Sequence, residues 1–311
     1  MSNLDQITAV LRTDTGQVRD HNEDFVFHWE PSNLEEEQKH GWLYIVADGV
    51  GGADAGEVAS EMTSQQTIDH YLAHENETNW GKRLLNAMHA ANSELRQFVL
   101  ERNDNSRMAT TMVAAVLQEN HAYISNVGDS RGYLWRNGRI QQITKDQSLV
   151  AKLVEEGAIT EEEALFHPRR NVILYSLGSE RSPQIDLFEQ TLEPDDMLLL
   201  CSDGLTRHVL DEEIALVMAE NEPDQATDIL INRANERGGE DNISVAIIKY
   251  AGSTAVAPQK YAQTNKTPLV VADGQQAISR TVNRPALWAY TLALGLVQTL
   301  LIFLVWFLLR V

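Results

Sequence analysis

Six short apolar runs punctuate the first 250 residues: "WLYIVAD", "TMVAAVL", "HAYISNVGD", "RGYLWRNGRI", "DMLLLCSD" and "NISVAIIKY". They are rich in valine, isoleucine, leucine and aromatic side chains and are punctuated by Gly, Asp or Asn, the composition of strands stopped by turns. Residues 121–143 read as a meander, with "RNGR" as a two-residue Asn-Gly hairpin turn. Longer helical patterns follow Ala55 and Asn79, and others fall near Asp146 to Glu156 and Pro223 to Arg237. Strands adjacent in sequence and joined by tight turns pair antiparallel, so the fold class is α+β and not doubly wound. No internal repeat is visible.

Hydrophobic residues make up 43 % of the 311, enough for a proper core. The formal charge of -20 is unevenly spread. Residues 251–311 hold Lys260, Lys266, Arg280, Arg284 and Arg310 against Asp273 alone, a net of +4 that leaves -24 on residues 1–250. So acidic a body repels a nucleic-acid backbone, which argues against that partner class. It also offers a surplus of carboxylates to divalent cations. The single cysteine, Cys201, rules out an internal disulfide and fits a reducing compartment. The N-terminal "MSNLDQITAV" has no basic start followed by an apolar run, so no export signal is expected.

The strand ends carry the chemistry. "IVADGVGG" places Asp48 beside a glycine, "SNVGDSRG" places Asp129 and "LLCSDGL" places Asp203, while "RGGEDNISVA" sets Asp241 just before a strand. Near the N-terminus, "GQVRDHNED" supplies Arg19, Glu23 and Asp24. One Asp-Gly after a strand is only a turn. Five separated clusters of the same character are harder to explain that way. Carboxylates gathered at one end of a sheet raise each other's pKa unless a cation compensates, and a binuclear site removes that repulsion. Oxygen ligands suit hard ions such as Mg²⁺ or Mn²⁺, and no Cys/His ligand cluster points to zinc.

A rival reading starts from "LLLCSDGLTRHV", residues 198–209, where Cys201 and Arg207 have the Cys-x5-Arg spacing of a thiolate phosphatase. Such a loop wraps phosphate in backbone N–H groups and lowers the thiol's pKa. Asp203 would set a negative charge inside that cradle and oppose the thiolate. A cysteine after "MLLL" is more simply a small apolar residue on a buried strand. The stretch is read as a metal loop.

The ordered set "VRDHNED", "VADGVGG", "ATTMVAA", "NVGDSRGYL", "ITKDQS", "NVILYSLG", "LCSDGLTRHV" and "GGEDNISVA" resembles the metal-dependent serine/threonine protein phosphatases of the type 2C (PPM) family, from about Thr13 to about Lys249. The resemblance implies a four-layer α-β-β-α sandwich of two antiparallel sheets flanked by helices, with two Mn²⁺ or Mg²⁺ ions in a cleft at one end. It implies that Asp48 bridges both ions, that the Gly49 carbonyl serves one, and that Asp203 and Asp241 serve the other, with Glu23 acting through water. Arg19 matches the family's phosphate-binding arginine, whose forked donors fit phosphate oxygens. Asp129 matches the ligand of a third, weaker ion shared with Asp203, and Asp24 would orient Glu23 or a bound water. Val50 stands where some members carry a candidate acid histidine. His21 and His208 lie in motif neighbourhoods, but the general acid stays unassigned. Segment 157–182 falls at the family's variable flap; Arg169 and Arg170 there either meet phosphorylated substrate or simply face solvent.

"ALWAYTLALGLVQTLLIFLVWFLL", Ala286 to Leu309, contains no charged residue. As a helix it would extend about 36 Å, enough to cross a hydrocarbon core of about 30 Å. Trp288, Tyr290 and Trp306 suit the two interfaces, and Arg280 and Arg284 favour keeping the bulk of the chain cytoplasmic. The expected organisation is a phosphatase domain over 1–250, a tether over 251–285 and a membrane helix over 286–309, as in a bacterial cytoplasmic-membrane protein. The expected activity is hydrolysis of phosphoserine and phosphothreonine on phosphorylated proteins near that membrane, a serine/threonine kinase among the candidates. The alternatives are the same metal chemistry on small phosphomonoesters or phosphotyrosine, and a tethered binding or sensor module with a degenerate site.

Overall fold

Antiparallel pairing organises everything that the computed structural model describes, residues 6–51, 55–102 and 107–252. One sheet has the order β1-β10-β9-β6-β7, formed by Ile7–Asp14, Ile243–Tyr250, Asp196–Cys201, Arg131–Arg136 and Arg139–Gln142. The other has the order β2-β3-β4-β5-β8, formed by Asp24–Trp29, Trp42–Gly51, Met108–Gln118, His121–Val127 and Asp186–Thr191. The expected two antiparallel sheets flanked by helices are therefore present.

The period-two geometry of a strand explains why the interior runs look continuously apolar. Along β3, Trp42, Tyr44 and Val46 face the other sheet and pack with Val113, Ala115, Leu198, Leu200, Ala246 and Ile248. The alternate residues Leu43, Ile45 and Ala47 face outward onto α2 (Ala55–Ala73) and α3 (Trp80–Arg102), meeting Ile68, Tyr71, Leu84 and Met88. Helix α3 offers Leu84, Ala87, Met88, Ala91 and Leu95 to the interior, the spacing of one helical face. On the outer side of the first sheet, Leu199, Cys201, Val245 and Ile247 pack on α7 (Asp211–Glu220) and α8 (Pro223–Glu236). Sheets covered on both faces need hydrophobic residues at every position, not at alternate ones.

The remaining helices are short: α1 Leu34–His40, α4 Leu149–Glu155, α5 Glu161–Leu165 and α6 Asp203–Thr206. The expected Asn-Gly hairpin joins β6 to β7, with Asn137 at φ 52° and Gly138 at φ 77°, the left-handed pair that such a two-residue turn requires. The expected meander over 121–143 needs correction. Strand β5 pairs with β4 and β8, whereas β6 pairs with β7 and β9, so the chain changes sheet at Gly128–Ser130. Gly128, at φ +99°, permits that crossing, and a side chain there would collide with Thr111.

All described residues fall within one compact unit, Met1–Val256. Among the described residues no helix is long and apolar enough to cross a membrane. The expected tether from residue 253 onward and the expected helix over 286–309 lie outside the described residues.

Candidate metal centre

The acids flagged by the sequence come together at one end of the two sheets. Asp24 opens β2 and lies directly opposite Asp48 of β3 in the antiparallel register, so their side chains share a face. Asp129 follows β5, Asp203 begins α6 with only Ser202 between it and β9, and Asp241 immediately precedes Asn242 at the entry to β10. The two sheets are tied together here by hydrogen bonds. Ser202 Oγ donates to Asp24 Oδ2 at 2.7 Å, and Glu23 N–H donates to Asn242 Oδ1 at 2.8 Å. Asn242 Nδ2 in turn donates to the carbonyls of Thr15 and His21, each at 2.9 Å, fixing the β1–β2 loop that carries Arg19 and Glu23.

Glycines allow the backbone beneath the cluster to close up. Gly49 N–H donates to the Glu23 carbonyl at 3.0 Å, and Ser60 Oγ donates to the same oxygen at 2.6 Å. A Cβ on Gly56 would lie 2.7 Å from the Glu23 carboxyl carbon. On the other flank Gly128 N–H donates to Gln147 Oε1 at 2.9 Å, and Thr111 and Ser130 share a 2.7 Å hydroxyl contact, which together fix the loop bearing Asp129.

The electrostatics are those of crowded acids without enough positive charge. Burial, reinforced by Asp24, Asp203, Asp129 and Asp241, pushes the Asp48 carboxyl well above the ordinary range. Burial and then Asp203 push Asp129 up to about 8. Burial also pushes Asp24 up to about 7, against the hydrogen bonds from Ser202 and Ser244. Asp203 is raised by burial and by Asp241, with Arg207 opposing, and Glu23 is raised by burial with Arg19 opposing. Two carboxylate oxygens, Asp129 Oδ1 and Asp203 Oδ1, are buried without a hydrogen-bond partner.

Those orphaned oxygens, the all-oxygen donor set and the mutual repulsion fit hard divalent cations. The ligand cage is not closed, however. Among the described residues no three acidic, imidazole or thiol side chains stand together as a ready ion site. Two arginines intervene. Arg207 donates through Nη2 to Asp203 Oδ2 and through Nη1 to Asp241 Oδ2 at 2.9 Å. Arg19 Nη2 reaches both oxygens of Asp241, at 2.9 and 3.0 Å, with 47 % of its side chain still in solvent.

The structure thus brings together Arg19, Glu23, Asp24, Asp48, Gly49, Asp129, Asp203 and Asp241. Of the two histidines, His21 is exposed near Glu23 and favours its ionised form, while His208 Nε2 accepts from Glu240 N–H at 3.4 Å. Arg169 and Arg170 are exposed, the latter 4.0 Å from Glu240. Cys201 is buried in the outer core with its thiol pushed up to about 12 by that burial, the opposite of an activated nucleophile. Sequence reasoning passed over Ser202, Asn242, Gly56 and Ser60, and it considered Arg207 only as a partner of Cys201. "CSDG" and "EDNIS" place Ser202 and Asn242 beside flagged acids, which was the available signal.

Comparison with known proteins points to one family. The family model described as protein phosphatase 2C matches residues 20–241. The serine/threonine phosphatase stp of Listeria monocytogenes is 38 % identical over 249 residues, spanning 78 % of this chain and 95 % of the relative. The crystal structure of the Mycobacterium tuberculosis serine/threonine phosphatase PstP/Ppp is similar with a TM-score of 0.69 at 36 % identity, covering 79 % of this chain and 99 % of that one. The catalytic domain of the phosphatase PstP, solved with two manganese ions, has a TM-score of 0.67 at 35 % identity, covering 78 % and 98 %.

Proposed function

The chain belongs to the protein phosphatase 2C family, and from that premise we propose that it hydrolyses phosphoserine and phosphothreonine in proteins at the Asp48 end of its two sheets. It is a metal-dependent serine/threonine protein phosphatase using two Mn²⁺ or Mg²⁺ ions. When bound, such ions supply a hydroxide nucleophile near neutral pH and offset charge on the phosphoryl group. Asp48 would hold both, the Gly49 carbonyl would serve one, and Asp203 and Asp241 would serve the other. Glu23 would act through water, and Asp129 with Asp203 would hold a third, weaker ion.

The observation that carries this assignment is geometric: Asp24 stands opposite Asp48 at the sheet end, and Asp129 and Asp203 beside them each keep a buried carboxylate oxygen without a hydrogen-bond partner. Arg19, half in solvent beside Asp241, supports the reading with forked donors that fit phosphoryl oxygens. Asp24 keeps its carboxyl on Ser202, so its role is to fix the β2 end against β9 and orient what lies above it. The uncharged segment 286–309 supports a membrane anchor, with the catalytic domain on the cytoplasmic side and phosphoproteins near the membrane as substrates.

The test is phosphate release from phosphoserine, phosphothreonine and phosphotyrosine peptides across a Mn²⁺ titration. Release is expected from the first two, to vanish with chelation and with Asp48→Asn, and to persist in Cys201→Ala. Preference for phosphotyrosine or for p-nitrophenyl phosphate over phosphopeptides would move the substrate class. Loss of activity in Cys201→Ala together with indifference to chelator would sink the metal reading.

A further inference from the structure

We propose that Arg207 is a built-in counter-cation of the metal centre: it clamps Asp203 and Asp241 in the ion-free protein and must release Asp241 before a divalent ion can be taken up there. The inference rests on the metal-centre reading given above and adds to it a residue that opposes ion binding.

Arg207 lies four positions after Asp203, across the single turn of α6, so its guanidinium folds back over that carboxylate. Its two terminal nitrogens are divided between Asp203 and Asp241, the two acids assigned to the same ion. The oxygens of these acids are not in the same condition. Asp203 keeps Oδ1 buried and free. Asp241 keeps neither oxygen free, because Oδ1 accepts from Asn242 N–H at 3.1 Å and from Arg19, while Oδ2 accepts from both Arg207 and Arg19. A divalent ion needs a lone pair of its own on each ligand, and a guanidinium on the same carboxylate repels it.

The same cation also balances the wider cluster, since Asp129 and Asp48 both favour its charged form. It has somewhere to go, because a quarter of its side chain, 25 %, already contacts water. The opposite role is an arginine that orients Asp203 and Asp241 for the ion. That role requires free ligand oxygens while the arginine is in place, and Asp241 has none. An orienting arginine strengthens ion binding; a competing one weakens it.

Calorimetric Mn²⁺ titration of the full-length chain separates the two, with Arg207→Met removing the charge and Arg207→Lys keeping it without the fork. Arg207→Met is expected to bind Mn²⁺ about tenfold more tightly than wild type, equivalent to about 1.4 kcal/mol. Its chelated form is expected to melt below chelated wild type, while the Mn²⁺-saturated forms melt together. Arg207→Lys is expected to stay within about threefold of wild type. If Arg207→Met needs Mn²⁺ in order to fold, the counter-cation role is supported. Unchanged or weaker Mn²⁺ binding by Arg207→Met overturns it, as does equal tightening in Arg207→Lys. A wild-type chain that takes up no Mn²⁺ overturns the metal-centre reading itself.

Discussion

Removing divalent ions and then raising the pH loads the acid cluster with its own repulsion. In the ion-free fold Asp24 is pushed from 3.8 up to about 7, chiefly by burial. Below 3.8 the carboxyl is protonated in both folded and unfolded chains and contributes nothing. Above it the unfolded chain ionises first, so the fold holds the extra proton and loses stability until its own value is passed. At 1.36 kcal/mol for each pH unit, Asp24 alone opposes the fold by about 4 kcal/mol when ionised, and about 3 kcal/mol of this falls between pH 5 and pH 8. Asp129, pushed up to about 8, extends the window upward. Their penalties overlap because they share neighbours, so the two are not summed and about 3 kcal/mol stands for both. For a domain of this size that loss lowers the melting temperature by about 6–12 °C. Thermal melts of the full-length chain, chelated and Mn²⁺-saturated, are compared from pH 5 to pH 8. His40 and His89, held below the ordinary histidine value by burial, stabilise the fold as pH rises. They do so in both samples, and the difference between samples cancels them. Glu213, lowered to about 2 by Arg237, titrates below the window. The gap in melting temperature between loaded and chelated protein is expected to widen steadily with pH. A gap that stays constant or narrows would refute the claim that these acids are only partly compensated without ions.

Three other perturbations probe the same arrangement. Asp48→Asn removes one of the crowded charges, so the chelated protein is expected to gain about 1–2 kcal/mol in urea denaturation while phosphate release falls about a thousandfold. Gly56→Ala drives a methyl against the Glu23 carboxyl, so Mn²⁺ affinity measured by calorimetry is expected to fall about tenfold; helix α2 itself should not suffer, because alanine favours a helix by about 1 kcal/mol over glycine. Deletion of residues 285–311 is expected to leave turnover of phosphopeptide within about twofold and to move the protein from the membrane to the soluble fraction, measured by sedimentation of vesicles.

The interior of the fold was legible because of where it lies. Strands β3, β4, β5, β9 and β10 are covered on both faces and announce themselves as unbroken apolar runs. The three strands that the runs did not reveal, β1, β2 and β8, are all sheet edges. Strand β8, "DLFEQT", alternates half-buried and exposed residues, a pattern that a polar loop shares. The sheet change at Gly128 was hidden for a different reason. Closely spaced strands usually pair, and only the tertiary demand for a loop carrying Asp129 between the two sheets overrides that habit. At the site, the acids were legible because Asp beside Gly recurs at strand ends more often than turns alone explain. Ser202, Asn242 and Ser60 were not, because each acts through hydrogen bonds to segments far away in sequence. Arg207 was visible but matched to Cys201, which lies on the other side of the sheet in the outer core, while its true partners are Asp203 and Asp241.

The same hydrogen bonds explain how acids that repel one another stay gathered. No single acid at the cluster is held there by attraction to the others, since Asp24, Asp203, Asp129 and Asp241 all disfavour the ionised form of Asp48. What holds them, besides the arginines on Asp203 and Asp241, is a set of side-chain hydrogen bonds between distant segments. Asn242 joins the loop after α8 to three positions of the β1–β2 loop, Ser202 joins β9 to β2, and the Thr110 hydroxyl donates to the Asp48 carbonyl at 2.8 Å from the paired strand. Each such bond contributes about 1 kcal/mol, individually less than the repulsion it resists, but together with the two packed sheets they exceed it. Asn242→Ala should therefore loosen the cluster without removing a charge. Ion-free stability falls because the Thr15 and His21 carbonyls lose their donor, and ion affinity falls with it because Glu23 is no longer fixed. That joint fall is the reverse of the Asp48→Asn pattern, in which ion-free stability rises as activity disappears, and the pair of variants separates the charges that perform the chemistry from the scaffold that confines them.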